Sequence, residues 1–225
     1  MSANDSGKSV QRPPVVTMAA LYGAGGSAVG PRVAERLGVE FLDRAIPASV
    51  ARRMGLPEAA VASYDEQPRS RMGRLVESLA RVPNPAGDES AEHLDLDEDR
   101  MQAEIEEVLA RASASGGVVL GRGGAVVLGS VPSALHVLLT GPRQARVEQA
   151  MRIEDIDRET AERRLEANDR ARREYVRGRY GVDGEDPSLY HLVIDGTAFG
   201  LDACVDLIAT ASRMRMQHAE RHARS

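Results

Sequence analysis

A chain of 225 residues is long enough for one domain, or one core carrying an inserted lobe. It is 42% apolar but only 3% aromatic, so the core must be built from Val, Leu, Ile, Ala and Met. The net charge of −5 gives no reason to expect a nucleic-acid polymer as partner, the single Cys204 excludes an internal disulfide framework, and no apolar run reaches the ~20 residues that span a membrane.

Residues 1–13 read as a disordered leader, and Met1 to Arg12 lack the apolar stretch of a secretory signal. A cytoplasmic protein is expected. Of the 29 basic residues only Lys8 is lysine. A fixed positive charge in the folded domain is therefore arginine, whose planar fork suits bidentate contacts to phosphate or carboxylate.

The first strand is predicted at about 14–19. A glycine-rich turn follows, Tyr22-Gly23-Ala24-Gly25-Gly26-Ser27, and then a helix from about Ser27 to Leu37, with Ser27 as N-cap and Gly38 as its stop. Consecutive glycines let the backbone approach a ligand closely. A helix starting there aims free N–H groups and a positive dipole end at it, a geometry that holds phosphate. Val39-Glu40-Phe41-Leu42 reads as a second strand closed by Asp43-Arg44, so the chain opens as the β–α–β of a parallel sheet.

Residues 45–115 then carry helical periodicity, as in Met72/Leu75/Val76/Leu79 and Met101/Ile105/Val108/Leu109, broken by a mobile acidic loop before Asp99. Sheet character returns at Gly117–Gly121, at Leu135–Thr140 and at Tyr190–Asp195, in the short apolar runs of strands buried on both faces. Helices at about 142–152, 157–178 and 201–214 alternate with them. Cys204 reads as a small buried hydrophobe. Residues 213–225 read as a polar tail in which His218 and His222 are solvated.

The glycine loop admits two readings. Gly23-Ala24-Gly25-Gly26-Ser27-Ala28 matches G-x-G-x-x-A, and Asp43 follows at the end of strand two, as in a dinucleotide-binding unit for NAD(P). Such a unit continues with a third strand, however, and here residues 45–115 intervene. The other reading is phosphoryl transfer. It rests on the Arg-rich helix with Arg170, Arg172, Arg173, Arg177 and Arg179, flanked by Gly178, Gly181 and Gly184 as hinges. A mobile arginine helix over a phosphate loop is the lid of a small kinase.

In this order the motifs resemble the cytidylate-kinase-like branch of the nucleoside monophosphate kinases, over roughly 14–212. They are Tyr22-Gly23-Ala24-Gly25-Gly26-Ser27 with Gly30, Phe41-Leu42-Asp43-Arg44, Val119-Leu120-Gly121-Arg122-Gly123, Asn168-Asp169-Arg170-Ala171-Arg172, and Asp186-Pro187-Ser188-Leu189-Tyr190 with Leu192-Val193-Ile194-Asp195. The resemblance implies an α/β fold of P-loop NTPase type: three layers, a five-stranded parallel sheet, a helical acceptor lobe at about 45–115 after strand two, and a lid at about 157–184. It also implies ATP and Mg2+ as cofactors and nucleotide substrates such as CMP or dCMP.

The resemblance further implies that Gly23, Ala24, Gly25, Gly26, Ser27 and Ala28 bind the donor phosphates. Arg122, with Asp43 and Arg44, would hold the acceptor, and Asp169, Arg170, Arg172 and Arg173 would act from the lid. Asp43-Arg44 reads equally as a helix cap, and Arg122 also as a surface cap after strand three. The sequence departs from the pattern at three places. Gly26 stands at the lysine position of G-x-x-x-x-G-K-[ST]. Ala28 stands at the magnesium-binding hydroxyl position, with Ser27 beside it as substitute. Gly123 stands where an aspartate helps read cytosine. A nucleotide-binding regulator without catalysis is the alternative those departures leave open.

Overall fold

Valine-rich runs are the natural material of strands covered on both sides, because β-branched side chains pack on a pleated surface. The computed structural model describes residues 13–43, 110–121 and 123–223. In it these runs become β1 (Val15–Ala20), β2 (Phe41–Asp43), β3 (Gly117–Leu120), β4 (Leu135–Thr140) and β5 (Leu192–Asp195). They form one sheet in the order β2-β3-β1-β4-β5, every neighbouring pair parallel. The expected five-stranded parallel sheet is therefore present. Chain contacts divide the protein into two units, Met1–Arg44 with Val108–Ser225, and Ala45–Glu107. The leader, the helical lobe before residue 110, its acidic loop, Arg44 and Arg122 lie outside the described residues.

The strand order decides between the two readings of the glycine loop. In a dinucleotide-binding unit β2 lies beside β1, which brings its terminal carboxylate to the ribose. Here β3 lies between them: Val15 to Met18 pair with Gly117 to Leu120, and Asp43 pairs with Leu120. Asp43 therefore ends a strand one place removed from β1, and the NAD(P) reading falls.

The helices are α1 (Gly26–Leu37), α2 (Gly124–Val127), α3 (Arg143–Glu154), α4 (Arg158–Tyr180) and α5 (Leu201–Ala223), with a single 3-10 turn at Pro187–Leu189 and a helical stretch at 110–115. Val29 and Val33 of α1 and Cys204, Val205 and Ile208 of α5 share one core with Val16, Met18, Val137 and Leu139 of the sheet. Cys204 is thus the small buried hydrophobe expected of it. Along the α1–α5 seam Arg32 meets Asp202 and Arg36 meets Asp206; exposed pairs of this kind contribute only ~0.2–1 kcal/mol. α3 and α4 form a second packed pair through Val147, Ala150, Ala161 and Leu165. Asp157 caps α4 by accepting the Thr160 N–H at 2.7 Å.

Two boundaries differ from expectation for physical reasons. α1 begins at Gly26 with Gly25 as its N-cap, not at Ser27, because Gly25 takes a left-handed conformation (φ 90°) that starts the helix early. α5 continues to Ala223 instead of stopping near 214: no Gly or Pro follows Gly200, and Met, Arg, Gln and Ala are good helix formers. His218 and His222 therefore sit on a helix, their rings edge to face. Among the described residues no helix is long and apolar enough to cross a membrane.

Candidate functional site

The glycine loop leaves the C-terminal end of β1, the central strand, and enters α1. Gly23 (φ 77°) and Gly25 (φ 90°) both lie in the left-handed region. A Cβ at Gly23 would run into the Arg146 carbonyl, and one at Gly25 would stand 2.6 Å from Leu201 Cδ2. Only glycine fits either place. The Ala24 N–H closes a turn onto the Leu21 carbonyl at 3.0 Å, and the Ala28 and Val29 N–H groups bond the Gly25 carbonyl. Among the described residues, the N–H groups of Gly23, Gly25, Gly26 and Ser27 meet no acceptor. Four unsatisfied donors at a helix N-terminus form a cradle of the kind that suits an anion.

That cradle is held from behind. The Tyr22 N–H donates to Asp169 Oδ1 at 2.9 Å, and the Tyr22 carbonyl accepts from Arg146 Nη1 at 2.8 Å. Arg146 Nη1 also reaches Asp169 Oδ2 at 2.8 Å, and its Nε donates to the Gly141 carbonyl at 3.0 Å. This ion pair is buried, with Arg146 6% and Asp169 5% exposed. Gln149 Nε2 donates to the carbonyls of Gly23 and Gly196, at 3.0 and 3.2 Å. The Tyr22 hydroxyl donates to Glu154 at 2.7 Å, and Arg164 pairs with the same carboxylate at 2.6 Å. Burial pushes the Tyr22 phenol well above its ordinary value, and the bond to Glu154 adds to this.

The missing lysine is a matter of space as well as chemistry. Gly26 is buried, and a Cβ there would fall on the Ala20 methyl with Leu120 Cδ1 at 3.3 Å. The first turn of α1 sits too close to the sheet for any side chain at position 26. The motif puts its hydroxyl directly after the lysine, so Ser27 is the matching residue. Ala28, taken from sequence as that position, offers no side-chain oxygen. Ser27 is exposed in the first turn of α1.

The arginine helix is α4. Asp169, Arg172, Arg173, Val176 and Tyr180 lie on one stripe of it by helical spacing. Asp169 anchors that stripe to Tyr22, and the Tyr180 ring occupies the space a Cβ of Gly123 would need. Between these ends Arg172 is half-buried. Its Nη2 leans on the Gly184 carbonyl at 3.5 Å, and its Nη1 is buried without an acceptor. Tyr190 donates its hydroxyl to the same carbonyl at 2.6 Å. Arg170 is exposed, and Arg173 pairs with Glu185 at 3.4 Å. None of these hydrogen bonds reaches the glycine loop.

Of the expected lid residues, Asp169 alone touches the loop. Both its oxygens accept hydrogen bonds there, one from the Tyr22 N–H and one from Arg146. Asp43 closes β2 opposite Leu120. Gly121 (φ 82°) and Gly123 (φ 65°), which flank Arg122, both take left-handed conformations. Among the described residues no group of three or more His, Cys, Asp or Glu is placed to hold a metal ion.

Arg146 and Gln149 were not anticipated. The signal they carry is faint: two polar side chains three apart on the face of α3 that also buries Val147 and Ala150.

The chain matches the model of the cytidylate kinase-like family over residues 15–198. It is 27% identical over 206 residues to the cytidylate kinase of Methanopyrus kandleri, covering 88% of this chain and 92% of that protein. A 97-residue stretch is 34% identical to the uronate isomerase of Corynebacterium glutamicum, covering 43% of this chain and only 19% of the isomerase. Among solved structures, an uncharacterised protein from Eubacterium ventriosum superposes with a TM-score of 0.57 at 14% identity, over 89% of this chain and 98% of that one, a likeness of fold. With an all-parallel sheet in 2-3-1-4-5 order, a glycine loop off its central strand and a family match spanning every strand of that sheet, the chain belongs to the cytidylate kinase-like family.

Proposed function

We propose that this protein transfers the γ-phosphoryl group of ATP to a nucleoside monophosphate, CMP or dCMP first among them. The observation that carries the reading is the cradle of four free N–H groups at Gly23, Gly25, Gly26 and Ser27. Such donors fit the oxygens of a polyphosphate, and among the described residues no side chain competes for them. The Ser27 hydroxyl, exposed beside the cradle, would contribute to holding Mg2+, which when bound neutralises charge on the phosphates. Arg122, Asp43 and Arg44 would hold the acceptor.

Arg172 is the best placed of the lid arginines. A buried guanidinium N–H without an acceptor is costly, and a phosphoryl oxygen would satisfy it. Arg170 and Arg173, one exposed and one loosely paired, would join it as the helix closes. Phosphoryl transfer depends mostly on positioning and electrostatic stabilisation, so arginines can replace the charge of an absent lysine. The resemblance to a cytidylate kinase supports this reading.

A coupled assay of ATP–Mg2+ with a panel of monophosphates tests it. Turnover with at least one pyrimidine monophosphate is expected, and Arg172→Ala should lower kcat by about a hundredfold or more. One observation favours a second reading, a regulator that binds nucleotide without turning it over: the space at Gly26 is closed to lysine. Binding without turnover, unaffected by Arg172→Ala, would select the regulator.

A further inference from the structure

We propose that Asp169 and Arg146 are positioning residues that hold the glycine loop in its anion-accepting shape from outside. A lysine at position 26 has no room to do so from within. This rests on the cradle being the donor-phosphate site.

Peptide geometry links the pair to the ligand side of the loop. In a trans peptide the C=O and the following N–H point in opposite directions. Arg146 fixes the Tyr22 carbonyl, so the Gly23 N–H points away from Arg146. Gln149 fixes the Gly23 carbonyl, which orients the next peptide for the turn onto Leu21. Asp169 fixes the Tyr22 N–H, so both peptide planes around Tyr22 are set by one ion pair. The pair is electrically neutral as a unit and adds no net charge to the site. Burying it costs desolvation that apolar side chains would not incur, and what it provides in exchange is direction. Asp169 also lies three residues before Arg172 on the same stripe of α4, so loop shape and arginine helix are joined mechanically.

The test combines amide hydrogen exchange over residues 18–29 with ATP saturation kinetics. It compares the full wild-type chain with Asp169→Ala, Asp169→Asn and Arg146→Lys. Loop amides should exchange about tenfold faster or more in Asp169→Ala and Arg146→Lys, while β4 amides stay unchanged. KM for ATP should rise about tenfold, with KM for the monophosphate moving less than about threefold. Asp169→Asn keeps an oxygen for the Tyr22 N–H and should recover much of the ATP affinity, which a loss of general stability would not do. A folded Asp169→Ala protein with wild-type loop exchange overturns the proposal. So does faster loop exchange with an unchanged KM for ATP. Should Asp169→Ala not fold, Asp169→Asn and Arg146→Lys carry the same comparison. If the wild type neither binds nor consumes ATP, the proposed function falls, and the exchange rates alone decide whether the pair holds the loop.

Discussion

Placing a side chain at Gly26 should damage this protein, even when that side chain is the lysine other phosphate loops carry. A Cβ at position 26 meets the Ala20 methyl inside contact distance and Leu120 Cδ1 at 3.3 Å. The Ala20 methyl is fixed directly to the strand backbone and cannot rotate aside, so the first turn of α1 must lift. Overpacking of this kind costs ~1–3 kcal/mol. The helix-propensity gain of replacing glycine offsets at most ~1 kcal/mol of it. The approach to the Ala20 methyl, well inside contact distance, puts the cost in the upper half of that range, ~2–3 kcal/mol, which leaves a net loss of about 1–2 kcal/mol, or roughly 2–8 °C in melting temperature for a domain of this size. Gly26→Ala isolates the Cβ effect, and Gly26→Lys adds the ammonium. Thermal melting and ADP titration of both variants read the outcome. The double variant Gly26→Ala/Ala20→Gly removes the offending methyl and should show a favourable coupling of ~1 kcal/mol or more. The reasoning is refuted if Gly26→Ala melts at or above wild type and Gly26→Lys binds nucleotide more tightly.

Three further outcomes follow from single contacts. Gly23→Ala combines a left-handed φ with a collision at the Arg146 carbonyl, and should cost at least ~2 kcal/mol in urea unfolding and abolish ADP binding. Tyr22→Phe removes only the hydroxyl bond to Glu154, which keeps Arg164, so it should cost ~1–2 kcal/mol while nucleotide affinity holds. His136 is 3% exposed, bonds Thr17 through Nδ1 and stacks on His191; burial first, then His191 and Arg215, lower its pKa to about 4. The unfolded chain therefore takes up protons that the folded protein refuses as pH falls from about 6.5 to about 4, so stability should drop by on the order of 3 kcal/mol across that window. Urea midpoints at pH 7, 5 and 4 would measure the drop, and His136→Asn should flatten it.

The strands were legible in the sequence because short continuous Val and Leu runs have few other uses than strands covered on both faces. Their order was not. Whether β2 or β3 lies beside β1 depends on contacts far apart in sequence, and that order is what separates the phosphate loop from the dinucleotide fingerprint. The N-cap was misread because Ser27 has the right chemistry, while Gly25 has the conformation that actually begins the helix. The end of α5 was misread because polarity was taken for a stop where no breaking residue stands. In the site, the glycines announce themselves by composition. Arg146 and Gln149 do not, because their partners are the backbone of Tyr22 and Gly23 more than a hundred residues away. Asp169 is legible as part of the Asp-x-x-Arg motif, but its contacts to the Tyr22 N–H and Arg146 are not.

The claim beneath all of this is that the glycine loop holds the phosphates of a nucleotide without a lysine. Isothermal titration of wild type with ADP and with ATP in the presence of Mg2+ tests it most directly. Saturable binding is expected, lost in Gly23→Ala and retained in Tyr22→Phe. No detectable binding of either nucleotide at ligand concentrations up to about millimolar, where even weak sites of ~4 kcal/mol register, would contradict it.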